Sequence, residues 1–278
     1  MPSDVPVLKS LSRQDVQALL EGPDVKVLET STSRNVYAVR YEGQTCALKV
    51  SMRLSVTFRT ELAMLQRIAG AGGAPEPLAY CSERPALLTT CAKDTLTEYL
   101  EQRASSAGLS LLQVLYLALR VTKRLQQLHR AGFVHCNLAS NKVTLRLAGK
   151  RKVASVHLSD LGLSARIGER RAPRAINAKT WQCKCVGNGA PLSPACDLPG
   201  LASILQKLFR GRADVPRRVA ALAKLCAHPR HRKRPDLKEV RRCLEEACAS
   251  LLPVEERQPL AEAAPLQKAK RPREDHVD

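Results

Sequence analysis

"HRAGFVHCNLASNK", residues 129–142, is the stretch on which the reading of this chain turns. It joins a long, strongly apolar helical pattern (LSLLQVLYLALRVTKRLQQLHRAG, 109–132) to a strand-like pair within KVTLRLAGKRKVASVHLSD (142–160), with AGK as the turn. A helix that is apolar over most of its surface belongs in the middle of a fold. The link carries Asn137, Asn141 and Lys142 but no carboxylate. Polar loops positioned by a rigid frame are where chemistry is usually presented.

Working toward the N-terminus, LSRQDVQALLE (11–21) reads as a short amphipathic helix. Three strand-like runs follow at VKVLET (25–30), NVYAVRY (35–41) and QTCALKV (44–50). VTFRTELAMLQRIAG is helical, with Phe58, Leu62, Leu65 and Ile68 on one stripe and Gly70 at its end. PLAYC and PALLTT are further strands. Toward the C-terminus, helices are expected at TLTEYLEQ, LPGLASILQKLF, VPRRVAALAKLCA and DLKEVRRCLEEACASLL, while residues 163–196 show little periodicity. The fold class is therefore α+β, with a β-rich part over 25–92 and a larger helical part over 93–252. Residues 1–24 read as a helical extension. Residues 253–278, with four prolines and a basic cluster, read as a disordered tail.

Composition narrows the field. No run approaches the roughly 20 apolar residues of a membrane helix, and the first 20 residues carry Asp4, Lys9, Arg13 and Asp15 with no apolar block, unlike a secretory signal. The expected compartment is nucleus or cytoplasm, with reduced thiols. The ten cysteines include no C-x-x-C. A zinc set from Cys183 and Cys185 plus Cys196 or a histidine departs from the usual ligand spacings, so scattered buried or half-buried thiols are the better reading. The net charge of +19 is uneven: residues 1–92 hold 10 Lys/Arg against 9 Asp/Glu, and the other 35 basic and 17 acidic residues follow. Such asymmetry suits an anionic partner, and equally a solvated basic surface.

In order along the chain, CALK (46–49), Glu61 in FRTELAML, HCNLASNK (135–142), DLG (160–162), DLPGL (197–201) and KRP (233–235) resemble the motifs of the protein kinase superfamily. The resemblance spans most of residues 25–250. It implies a two-lobed kinase-like fold, with a small β-rich lobe (25–92) and a larger helical lobe (93–252). It also implies a cleft in which Lys49 grips nucleotide phosphates, Glu61 pairs with that Lys, Thr90 and Cys91 form the hinge, and Asp160 holds Mg²⁺.

The same resemblance marks what is missing. Glu29, Ser31 and Arg34 stand at the three positions of the glycine-rich loop, where a Cβ keeps the backbone away from phosphates. Asn137 replaces the catalytic Asp and Lys142 the metal-binding Asn; a carboxamide is no base near neutral pH. A register slip would bring Asn141 to that second position instead. Ala139 and Cys136 replace a Lys and an Arg, and Cys183, Lys184 and Cys185 stand where A-P-E would supply a buried Glu for Arg234. ATP and Mg²⁺, the family's cofactors, are therefore expected to bind weakly or not at all.

The expected function is that of a pseudokinase that binds another protein, an active kinase or its substrate, as scaffold or allosteric regulator. The alternative is a weakly active Ser/Thr kinase using Lys49 and Asp160. A third reading is a nuclear nucleic-acid-associated protein, although the basic stretches lack aromatic stacking platforms. In the tail, Lys268, Lys270, Arg271 and Arg273 form a cluster of the kind read by nuclear import receptors.

Overall fold

The two-residue turn at Glu42–Gly43 sets the geometry of the first sheet. Both residues have positive φ (45° and 76°), as a tight hairpin whose twist matches its strands requires. The turn fixes the register of β3 (Arg34–Tyr41) against β4 (Gln44–Ser51), which places Val36 opposite Lys49. The computed structural model describes residues 8–32, 34–53, 56–90, 94–104, 108–148, 152–172 and 181–252. Cys91, Arg174, Lys179 and the basic tail lie outside the described residues.

The N-terminal part is a six-stranded sheet. Its strands are β1 (Lys9–Ser10), β2 (Lys26–Thr30), β3, β4, β5 (Pro77–Cys81) and β6 (Ala86–Thr90), ordered β1-β5-β6-β4-β3-β2. The β1–β5 pair is parallel and the others are antiparallel. The five strands read from the sequence are present, and a further strand and a helix precede them. β1 adds a sixth strand, and α1 (Arg13–Leu20) follows a capping box between Ser12 and Asp15. Leu11 and Val16 enter one buried cluster with Cys46, Leu48 and Leu88. Two residues of β1 were too few to show an alternation, which is why this strand was not legible.

Helix α2 (Val56–Ile68) crosses the other face of the sheet. Phe58, Leu65 and Ile68 of its expected stripe are buried, and Leu62 is half-buried. The helical part then runs from β7 (Asp94–Thr95) and α3 (Leu96–Ala104) to α4 (Leu111–Arg130), which starts at a Ser110–Gln113 capping box. As its composition required, α4 is central: Leu115, Leu125 and Leu128 are fully buried. Each such side chain contributes about 1.5–3 kcal/mol on leaving water.

After α4 come β8 (Phe133–Val134), the strand pair β9 (Val143–Ala148) and β10 (Lys152–Leu158), and β11 (Ala165–Arg166). β7 joins β9 and β10 in a three-stranded sheet, and β11 pairs with β8. The short α5 (Cys185–Asn188) precedes the three last helices, α6 (Leu198–Leu208), α7 (Arg217–Cys226) and α8 (Leu237–Ser250). Most of the core residues of α2, α4, α6, α7 and α8 belong to one hydrophobic cluster. The observed architecture is thus α+β, a multi-stranded N-terminal sheet followed by a helical C-terminal part. Among the described residues no helix is long and apolar enough to cross a membrane.

Candidate functional site

Alternation along β4 turns Cys46 and Leu48 into the core under α1 and points Ala47 and Lys49 toward a cleft between the sheet and the helical part. Glu61, on the sheet-facing side of α2, is buried and pairs with the Lys49 ammonium. The two expected partners therefore meet. Thr90 lines the same cleft at the end of β6; its N–H donates to the Glu76 carbonyl (3.0 Å) and its hydroxyl accepts from the Glu76 N–H (2.9 Å).

Asp160 closes the floor. It follows β10 with a left-handed backbone (φ 61°), which Asp tolerates better than most residues, and its side chain is 14% exposed. Both of its carboxylate oxygens are taken by cations. Lys142, at the end of the 3₁₀ turn Ser140–Lys142, places Nζ 2.7 Å from Oδ2. Arg34, at the start of β3, reaches across the cleft to place Nη1 2.9 Å from Oδ1. It also leans on Glu29, with Nη2 3.5 Å from Oε1. Burial alone would raise the Asp160 carboxyl, but Lys49, Arg34 and Lys142 outweigh it and hold the group well below the usual carboxylate range.

This geometry bears on one sequence expectation. Lys142, not the exposed Asn141, faces Asp160, so no register slip brings the carboxamide to the acid. Arg34 pairs with Glu29 and spans to Asp160 as well. With these side chains inside, the cleft holds about 130 Å³, below the roughly 300 Å³ at which ligand pockets usually begin.

Asn137 lies beside this floor without joining it. Its Oδ1 accepts from the Gln182 amide at 3.1 Å, and its N–H donates to His135 Nδ1 at 3.3 Å. The other His135 nitrogen, Nε2, lies 3.1 Å from the Ser159 carbonyl. The ring thus takes the neutral tautomer protonated at Nε2, and burial pushes its pKa down. Cys136 has φ 63° and is buried.

A second aspartate holds this loop in place. Asp197, 1% exposed, accepts from the His135 N–H (2.8 Å), the Cys136 N–H (2.7 Å) and His129 Nε2 (2.8 Å). Burial would raise its carboxyl, and the hydrogen bond and charge of His129 pull it below the ordinary value instead. Gly200, one turn into α6, lets that helix approach the loop: a Cβ there would lie 2.4 Å from the Leu138 carbonyl oxygen. The DLPGL segment is thus the anchor of residues 135–138.

Beyond Asn141 lies a wider groove of about 870 Å³, lined by Arg103, Lys207, Arg210 and Arg212 with Glu101 as its one acid. Among the described residues Arg234 has no carboxylate partner and donates to carbonyls. Its Nη1 donates to Ala195 (2.6 Å) and its Nε to His228 (2.6 Å), and Nη1 lies 3.4 Å from Cys183 Sγ. Scattered thiols describe Cys46, Cys81, Cys136, Cys226, Cys243 and Cys248 well. They do not describe Cys183, Cys185 and Cys196, which gather in one place with His231. No family model and no curated protein matches the chain.

Proposed function

We propose that this is a kinase-like protein that does not transfer phosphate efficiently and works by binding another protein. One observation carries the reading: both oxygens of Asp160 are already paired with the chain's own cations, Lys142 and Arg34. In phosphoryl transfer that acid would hold Mg²⁺ and the loop acid would orient the nucleophile. Here an ammonium and a guanidinium stand where a metal would be, and Asn137 offers an acceptor already engaged by Gln182. To admit Mg²⁺–ATP, the cleft must break two ion pairs and expel two long side chains. ATP and Mg²⁺ are therefore weak ligands at most.

The partner reading draws support from the helical part, where the groove beside Asn141 is larger than the cleft and its charged lining is four cations against one acid. Its charge suits an acidic segment of a partner protein. The retained Lys49–Glu61 pair favours the second reading, a weak Ser/Thr kinase, because it is the element that would position a nucleotide.

Melting curves of the full chain with ATP, with and without Mg²⁺, separate the two. The scaffold reading expects no Mg²⁺-dependent rise, since a ligand stabilises only in proportion to its binding. It also expects Asn137→Asp alone to leave phosphate transfer at background. A rise of several degrees that needs Mg²⁺, together with transfer abolished by Lys49→Ala, would overturn it in favour of the weak kinase.

A further inference from the structure

Cys183 and Cys185 flank the start of α5, Cys196 lies in the 3₁₀ turn before α6, and His231 begins the turn between α7 and α8. These three places are distant in sequence, yet their ligand atoms all lie within 4.8 Å of one another. His231 Nε2 is 2.9 Å from Cys183 Sγ and 3.3 Å from Cys185 Sγ. Zinc binds sulfur at about 2.3 Å and imidazole nitrogen at about 2.0 Å, which spaces tetrahedral donors roughly 3.5–3.8 Å apart. The four donors thus already converge on a volume of the right size. We propose that Cys183, Cys185, Cys196 and His231 bind one zinc ion as a closed, structural Cys₃His centre.

The surroundings suit a metal thiolate better than free thiols. The Ser193 N–H donates to Cys196 Sγ at 3.3 Å, and the Arg234 guanidinium lies 3.4 Å from Cys183 Sγ. Such outer hydrogen bonds orient and stabilise thiolate ligands. The charge also balances. A divalent ion displaces one proton from each of three thiols, leaving a centre of net charge −1 beside the Arg234 cation. Among the described residues no carboxylate pairs with Arg234, and the loaded centre supplies a negative charge beside it. Four protein ligands leave no open position, so the centre is a staple and not a catalyst. It ties residues 183–196 to the His231 turn, closing the lower end of the helical part across a sequence separation of 48 residues.

This inference is independent of the reading of the cleft, and so is its test. The full chain, purified without chelator, is expected to retain about one zinc per molecule by elemental analysis, as a tight structural site does. Cobalt added to the zinc-free chain should give the intense visible and thiolate charge-transfer bands of a tetrahedral sulfur site, and zinc should abolish them. His231→Ala should lose the retained zinc and His231→Cys should recover it. Cys243→Ser, in α8 and away from the cluster, should keep it. Stripping zinc should lower the melting temperature by about 5 °C or more. If His231→Ala fails to fold, the cobalt spectrum of the unaltered chain decides alone. A zinc-free chain whose three cysteines react as free thiols and give no cobalt band would sink the proposal. So would a disulfide among Cys183, Cys185 and Cys196 found by mass analysis of unreduced protein.

Discussion

Asp197 is buried and Asp160 partly buried, both are held below their ordinary pKa, and they are held by different means. Asp197 takes two backbone N–H groups and one imidazole, all fixed by neighbouring structure. Asp160 takes the tips of two long side chains from separate elements, with the Lys49 cation also nearby. Backbone donors cannot swing away, so Asp197 belongs to the frame. Long cations can rotate to solvent, so the Asp160 site can lose its partners without the fold being rebuilt. A carboxylate neutralised from within by two long cations is what sets this cleft apart from the frame around Asp197.

The largest effect is expected at the frame. Asp197→Ala strands two buried N–H groups and the His129 ring, and should cost about 3–5 kcal/mol in denaturant unfolding. Gly200→Ala comes next. Alanine gains about 1 kcal/mol of helix propensity, but its Cβ meets the Leu138 carbonyl at 2.4 Å. Overpacking against backbone outweighs that gain, and a net loss of about 2 kcal/mol is expected.

Asp160→Asn should cost least, about 1 kcal/mol, because Arg34 and Lys142 can turn outward to water. A loss as large as that of Asp197→Ala would erase the distinction between the two acids.

Acid sharpens the comparison. Both carboxyls sit below their unfolded value, so the stability they add is complete above about pH 4 and drains away as pH falls toward their folded values. Asp160→Asn should therefore flatten the acid limb of a stability–pH profile by about as much as it lowers stability near pH 7. An unchanged acid limb would show that Asp160 is not held by its cations in solution.

Much of the frame was legible because it rests on local pattern. The alternation of β3 and β4, the stripe of α2 and the apolar bulk of α4 each follow from side-chain periodicity and from which faces must leave water. The Lys49–Glu61 pair was expected only from the resemblance of its motifs, and the packing of a helix on the strand is what brings the two side chains together. β1 was not, because a two-residue strand has no period and exists only through its pairing with β5.

What the sequence determined by itself was an α+β chain with a buried central helix, a loop without a carboxylate around Asn137, and cations at positions 34 and 142. Tertiary structure alone decided where those cations went. Arg34 meets an aspartate 126 residues away, and Cys183, Cys185 and Cys196 meet a histidine from another turn. Pairings of this kind depend on the reach of flexible side chains across a shared space of low dielectric. There, opposite charges attract strongly once folding has brought them within a few ångströms, and no spacing along the chain encodes that distance.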